Sequence, residues 1–296
     1  MVLRLRKGRR KPYVAFIKRK VGISVKKIAI VTGASSGMGR EFVSYIDKNL
    51  KSIDEIWIIA RRINLLEEVK NNTNKNCIII QKDVCDDELC VFLQRKLKFE
   101  KAGIKLLINC AGFGIMGAFI DTERSLSVGM VNTNCSALTG ITSACIPYML
   151  KNSRIINLAS SAAFLPQPDF AVYAATKSYV LSLSRALGYE LQNKEIYVTA
   201  VCPGPVDTAF FDIAEAGRKR PWFKDLFMAD PKEVVEKAMI DAFKRKKVSV
   251  YGNSMKTFRL LTKIVPHKLI LDIYSLGQAF KDTEAGIDEI KKNQKR

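Results

Sequence analysis

The chain has 296 residues, 48% of them hydrophobic, with a formal net charge of +20, seven cysteines and a single histidine. That length is enough for one fully cored domain with appendages. A lone histidine, His267, read as a surface residue after Pro266, is a poor basis for a Ser-His-Asp triad or a zinc site.

The first 27 residues carry eleven Lys or Arg and no acid, more than half of the excess charge. Runs such as Arg4–Lys11 and Lys18–Lys20 suit contact with anionic lipid or nucleic acid, and equally a flexible solubilising arm outside the fold, which is the preferred reading. Tyr13 and Phe16 interleave with these charges without forming a nucleic-acid motif, so no specific nucleic-acid partner is expected. No apolar run reaches the roughly 18 residues of a membrane span, and the N-terminus lacks a secretory h-region. A cytoplasmic chain is therefore expected, with peripheral membrane contact as an option. Cys77, Cys85, Cys90, Cys110, Cys135, Cys145 and Cys202 are scattered and odd in number, which fits free thiols in a reducing compartment.

From Lys27 onward short β-branched runs alternate with helical patterns. Expected strands are Ile28–Thr32, Glu55–Ala60, Cys77–Gln81, Leu106–Asn109, Arg154–Leu158, Tyr197–Val201 and Val248–Tyr251. Expected helices are Gly37–Leu50, Leu65–Asn72, Asp86–Lys101, Arg124–Leu150, Phe170–Gln192 and Pro231–Lys246. Most of the strands are apolar on both faces, as parallel strands covered by helices must be. The rhythm predicts an α/β fold, a doubly wound parallel sheet with ligands at the carboxyl ends of its strands. Three segments follow: a basic extension at 1–26, a main domain at 27–254, and a helical extension with a charged tail at 255–296. In the last, Met255–Phe280 gives two short amphipathic stretches split by Pro266. Lys256, Arg259, Lys263 and Lys268 flank Phe258, Leu260, Leu261, Ile264 and Val265, a pattern that suits the chain's own domain, a partner subunit or a membrane surface.

Chemistry concentrates at a few points. Thr32-Gly33-Ala34-Ser35-Ser36-Gly37-Met38-Gly39 joins the first strand to the first helix, where a pyrophosphate can meet helix N-terminal N–H groups. Gly33 permits the tight turn, Gly37 close approach of a phosphate, and Gly39 close packing of helix on strand. Such a loop alone also serves FAD or a sugar nucleotide. Far downstream, Tyr173 and Lys177 are spaced i, i+4, so on a helix they share a face, and the ammonium is expected to stabilise the Tyr173 phenolate. Ser160 precedes Tyr173 by thirteen residues.

With Asn109-Cys110-Ala111-Gly112 after the fourth strand and Pro203-Gly204-Pro205-Val206-Asp207-Thr208 after the sixth, these motifs stand in the order and spacing of a known family. Over residues 27 to 252 the chain resembles a short-chain dehydrogenase/reductase. The resemblance implies a Rossmann-type, seven-stranded parallel sheet with helices on both faces, and hydride transfer between a nicotinamide and a carbonyl or secondary alcohol. It assigns Tyr173 as proton donor, Ser160 as the hydrogen-bond partner of the substrate oxygen, with Ser161 as rival, and Lys177 as holder of the nicotinamide ribose. Asn134, with Asn132 as competitor, corresponds to the asparagine that supports a proton relay to Lys177. It places the dinucleotide along Gly33, Ser35, Ser36, Gly37, Met38 and Gly39, then Asp83 and Val84 at the adenine, Asn109, Ala111 and Gly112 after the fourth strand, and Pro203, Gly204, Val206 and Thr208 after the sixth. Cys110 departs from the family's usual Asn or Ala. The second strand ends in Ala60-Arg61-Arg62 without the acid that grips the ribose of NAD, so NADP(H) is expected, with Arg61 as first contact, Arg62 and Arg40 in support, and NAD(H) as a lesser alternative.

The segment Asp207–Phe227 falls where the family carries a lid. It holds Phe210, Phe211, Trp222, Phe223 and Phe227 beside Arg218, Lys219 and Arg220, and Phe113 and Phe164 flank the expected mouth. These side chains suit a lipophilic carbonyl or alcohol with an anionic end, such as a 3-oxoacyl thioester or a hydroxysteroid, and the aromatics equally suit sealing the lid onto the domain. The family also implies a homodimer or homotetramer through the helices containing Asn134 and Tyr173. The rival readings are a dinucleotide sensor and a membrane-attached interaction protein.

Overall fold

The computed structural model describes residues 25–210, 214, 228–273 and 275–276. The basic arm before residue 25, the lid residues Phe211, Arg218, Lys219, Arg220, Trp222, Phe223 and Phe227, and the tail beyond 276 lie outside the described residues. Seven strands form one sheet: β1 (Lys26–Thr32), β2 (Glu55–Ala60), β3 (Asn76–Gln81), β4 (Ala102–Asn109), β5 (Met149–Leu158), β6 (Ile196–Val201) and β7 (Val248–Ser249). Their order is β3-β2-β1-β4-β5-β6-β7 and every pairing is parallel. The chain winds outward in one direction from β1 to β3 and in the other from β4 to β7, so a crevice opens between the carboxyl ends of β1 and β4.

The strands alternate between two cores, as their period of two requires. In β1, Ala29 and Val31 enter one core while Ile28 and Ile30 enter the other. The first core is closed by Phe42, Val43 and Ile46 of α1 (Gly37–Asn49), Leu66 and Val69 of α2 (Ile63–Asn71), and Val235, Ala238, Met239 and Ala242 of α7 (Pro231–Phe243). The second is closed by Leu89, Leu93 and Leu97 of α3 (Asp87–Phe99), spaced four apart, and by Ile141 and Cys145 of α5 (Leu138–Cys145). Glu55 opens β2 as a buried acid, satisfied by Trp57 Nε1 at 2.5 Å, Asn76 Nδ2 at 2.5 Å and Lys26 Nζ at 3.4 Å.

The helix expected over Arg124–Leu150 is interrupted and shorter. It begins as α4 (Arg124–Val131), widens into a π-helical stretch at Asn132–Ala137, continues as α5, and closes in a 3-10 turn at Ile146–Tyr148. Pro147 explains the end: without an N–H, and with its ring against the preceding turn, it stops the α-helix. β5 then starts at Met149, five residues before the expected Arg154, passing through Asn152 at φ 56°. At the far edge β7 is confined to Val248–Ser249, shorter than expected. Two further helices are α6 (Ala171–Glu190) and α8 (Asn253–Ile264), and helical turns follow over 267–273. α8 starts two residues before the expected Met255 and ends ahead of Pro266. No helix among the described residues is long and apolar enough to cross a membrane. All seven cysteines are free; Cys77, Cys135, Cys145 and Cys202 are buried, whereas Cys85 is exposed.

Candidate active site

The glycine turn is built by close approach. Gly33 has φ 66°, and a Cβ there would lie 2.7 Å from Ala111 N; a Cβ on Gly39 would lie 2.1 Å from Gly33 O. Side chains are thus forbidden where the turn meets the crossing after β4. Thr32 fixes that crossing, its Oγ1 accepting from Cys110 N at 3.1 Å and Ala111 N at 3.2 Å. Gly37, at φ 51°, faces Thr208, whose Cγ2 would be 3.3 Å from a Cβ. Ser36 is the N-cap of α1, in extended conformation, and its side chain makes no bond to its own helix. The helix start therefore presents its N–H groups toward the crevice, where they suit an anion. Met38 packs partly into the first core.

The basic pair after β2 divides its work. Arg62 Nη2 donates to Ser35 Oγ at 3.2 Å and Ser36 Oγ at 2.8 Å, laying a guanidinium across the glycine turn. Arg61 is 78% exposed and forms an ion pair with Asp83 at 3.6 Å. Arg40 pairs with Glu68 at 2.5 Å. Asp83 also accepts from Cys85 N at 2.9 Å, and Val84 packs toward the second core.

Asn109 is placed differently from its neighbours. It is buried, and its Nδ2 donates to Thr142 Oγ1 at 2.9 Å and Asn157 Oδ1 at 2.8 Å, so its side chain ties β4 to α5 and β5, while its Oδ1 is buried without a partner among the described residues. Asn157 Nδ2 continues the chain to Ser184 Oγ of α6 at 2.9 Å. On the opposite side, Pro203 O accepts from Ser161 N at 2.7 Å and Val206 is bridged to Ala229. A Cβ on Gly204 would be 2.7 Å from Met255 Sδ of α8.

The residues expected to carry chemistry come together. Ser160 caps the 3-10 turn Ser161–Phe164, accepting from Ala162 N at 3.1 Å. Tyr173 and Lys177 lie on one face of α6, and Lys177 Nζ stands 5.5 Å from the Tyr173 ring centroid while donating to Leu158 O at 2.8 Å. Asn134 is buried inside the π-helical stretch and Asn132 is exposed, which separates the two candidates. Asn134 Oδ1 accepts from Phe113 N at 3.1 Å, and its Nδ2 donates to Phe113 O at 2.9 Å and Thr176 Oγ1 at 3.0 Å. A Cβ on Gly112 would be 2.8 Å from Asn134 Oδ1 and 3.4 Å from Lys177 Nζ, so the backbone after β4 passes directly over the relay. The π geometry shifts the helix hydrogen bonds by one residue, a device common at functional sites.

Tyr173 lies under an aromatic wall: Phe170 stacks on it at 4.3 Å between centroids, and Phe210 tilts against it at 5.5 Å. Burial pushes its phenol up to about 12, against a hydrogen bond from Ser160 that lowers it. The expected stabilisation of the phenolate by Lys177 is therefore not the ruling effect. The ammonium is itself desolvated, which brings it down to about 8, and it is directed at Leu158 O. Tyr173 stands as a protonated acid. Burial likewise pushes the Cys110 thiol up to about 12, leaving it neutral. Thr176 and the stacked Phe170 escaped the sequence reading, and Thr32 entered it only as the first residue of the glycine motif. Phe170 and Thr176 lie three residues either side of Tyr173, a spacing that shares a helix face and was legible in principle.

A parallel sheet with a glycine-lined crevice and a Ser-Tyr-Lys group at its mouth defines a dinucleotide-dependent oxidoreductase. The family model for short chain dehydrogenases matches residues 27–218, and the chain belongs to that family. An uncharacterized oxidoreductase of Staphylococcus epidermidis is 28% identical over 197 residues, covering 66% of this chain and 84% of its own length. A short-chain dehydrogenase from Sphingobium yanoikuyae, solved in complex with NADPH, superposes with a TM-score of 0.65 at 25% identity, covering 76% of this chain and 87% of that one. The bulky-bulky ketone specific alcohol dehydrogenase from Comamonas testosteroni gives 0.64 at 25% identity, covering 87% and 93%.

Proposed function

We propose that the protein is an NADPH-dependent reductase of lipophilic ketones, working in reverse as a secondary alcohol dehydrogenase. The observation that carries this reading is Tyr173, buried beside Ser160 at the strand ends under Phe170 and Phe210, where burial favours its protonated form. When bound, the nicotinamide supplies the hydride that adds to the carbonyl carbon. Tyr173 gives its phenolic proton to the carbonyl oxygen, and Ser160 holds that oxygen by a hydrogen bond so that carbon and donor stay aligned. Lys177 holds the ribose hydroxyls and, through the Asn134 side of the site, returns a proton toward Tyr173. The glycine turn and the N-terminus of α1 take the pyrophosphate.

NADPH is favoured over NADH because no carboxylate closes β2 and the Arg62 guanidinium already spans the turn. The apolar wall around Tyr173, which includes Phe113, Ile115 and Met130, favours a bulky lipophilic carbonyl such as a 3-oxoacyl thioester or a steroid ketone. The resemblance in fold to a bulky-bulky ketone specific enzyme points the same way. Exposed Leu126, Val128 and Val131 on or beside α4 and Tyr179 on α6 favour a homodimer or homotetramer through these helices. The test is oxidation of NADPH and NADH by the purified protein against acyl, steroid and small lipophilic ketones, with Tyr173→Phe as control. Turnover with NADPH that Tyr173→Phe abolishes supports the reading. Tight cofactor binding without turnover would favour a sensor, and no binding of either dinucleotide would overturn both.

A further inference from the structure

α8 has two unlike faces. Met255, Phe258, Arg259 and Thr262, spaced i, i+3, i+4, i+7, turn inward: Met255 lies against Gly204, Phe258 is 6.4 Å from the Phe164 ring and Arg259 covers the same ring at 5.8 Å. The opposite side carries Leu260, Leu261 and Ile264, and the helical turns over 267–273 that follow Pro266 add Leu269 and Ile273, with Leu276 beyond. These six side chains are 50 to 69% exposed, and nothing among the described residues covers them. Lys256 and Lys263, seven residues apart, run along one edge of the α8 stripe. Lys268 stands at the start of the following turns, paired with Asp272 at 2.6 Å, the only acid in 253–276.

We infer that this outer face docks on the surface of an anionic bilayer. An apolar stripe bordered by lysines, on a helix too short to span, lies in the interface plane with its leucines among the acyl chains and its ammonium groups at the phosphates. A second copy of the chain is a worse occupant. An antiparallel two-fold contact through this face would set Lys256 and Lys263 of both copies along the same edge, and the only acid in 253–276, Asp272, is already paired with Lys268. The charge of the whole chain, +20, and the eleven cations of residues 1–27 add long-range attraction to anionic lipid. The inner face of the same helix rests on Phe164, which closes the turn capped by Ser160. Docking therefore sets the mouth of the site one helix-width from the bilayer, within reach of a lipid-dissolved substrate. The docking stands without the reductase assignment; only this last consequence rests on it.

The test is co-sedimentation of the full chain with phosphatidylcholine vesicles, with and without phosphatidylglycerol, alongside L260S/I264S and K256E/K263E. Wild-type protein is expected to pellet with the phosphatidylglycerol vesicles, and each double variant to lose on the order of tenfold or more in bound fraction with an unchanged unfolding temperature. Failure of the wild type to bind overturns the inference. So does binding unaltered in both variants, which would place attachment in the basic arm alone. A fall in oligomer mass in L260S/I264S, read by light scattering without vesicles, overturns it in favour of a second copy on this face.

Discussion

The ring of Phe170 lies on that of Tyr173, centroids 4.3 Å apart and planes inclined by 21°, so a residue outside the Tyr-x-x-x-Lys motif sets the environment of the acid. Burial is the largest cause of the high Tyr173 pKa of about 12. Phe170→Ala admits water to the phenol and is expected to draw that pKa down toward its ordinary 10.0. A spectrophotometric tyrosinate titration, taken as the difference from Tyr173→Phe in the same background, reads it directly. The stacking itself adds about 0.5–1.5 kcal/mol, so a small loss of stability accompanies the shift. An unmoved titration would mean that Phe210 and the neighbouring backbone alone keep the phenol dry.

Lys177 carries a cost that the fold bears for the site. Burial lowers its ammonium from 10.5 to about 8. Below about pH 8 it is protonated in folded and unfolded chains alike, and the fold carries the full desolvation cost of the charge. Between about 8 and 10.5 the unfolded chain holds more protons, so stability rises with pH across that window, and above it the cost is gone. Lys177→Met removes the charge but leaves Leu158 O without its donor, which returns about 1 kcal/mol. Near pH 7 the net gain is about 2 kcal/mol, a Tm higher by roughly 4–8 °C, with turnover lost. Thermal unfolding near pH 7 and near pH 10 checks the sign: the gain should shrink at the higher pH. An equal gain at both would assign it to packing instead.

The layout of sheet and helices was legible because both sequence periods are strong: β1 alternates between two cores, and Leu89, Leu93 and Leu97 repeat every fourth residue along α3. The break at Ile146–Tyr148 was signalled by Pro147, but the apolar residues on either side satisfy a helix and a strand equally well, so Met149 and Leu150 fell to the wrong element. Nothing in Asn132–Ala137 announces a π turn, because it shifts hydrogen bonds without changing which residue types fit. Motif spacing brought Ser160, Tyr173, Lys177 and Asn134 to one place. It did not foretell that the Nδ2 of Asn109, inside the same Asn-Cys-Ala-Gly motif as Ala111 and Gly112, would be bonded to Thr142 and Asn157.

Those bonds predict a structural role for the Asn109 amide nitrogen. Asn109, Thr142, Asn157 and Ser184 form one buried chain of hydrogen bonds across β4, α5, β5 and α6. Asn157→Leu strands Asn109 Nδ2 with a single partner and removes the Asn157 Nδ2 donor from Ser184 Oγ. A loss of about 2–4 kcal/mol is expected. Urea unfolding should show a lower midpoint with an unchanged slope, and dinucleotide affinity of the folded fraction should stay the same. A selective loss of dinucleotide affinity at full stability would instead put this network in the binding site.

Cofactor choice separates two arginines that the sequence leaves side by side. Arg62 is anchored by Ser35 and Ser36 at 3.2 and 2.8 Å, so its guanidinium is already held where the ribose end of the dinucleotide would lie. Arg61 is 78% exposed and ion-paired with Asp83 at 3.6 Å, and an exposed pair of that kind contributes little. Arg62→Ala is expected to raise the KM for NADPH on the order of tenfold or more while leaving that for NADH nearly unchanged, because only the 2′-phosphate makes use of the lost charge. Arg61→Ala should cost about threefold at most. Steady-state kinetics with both dinucleotides on both variants decides the matter. If Arg61→Ala carries the larger and NADPH-selective loss, Arg61 is the phosphate anchor and the bonds from Arg62 to the two serines only brace the turn.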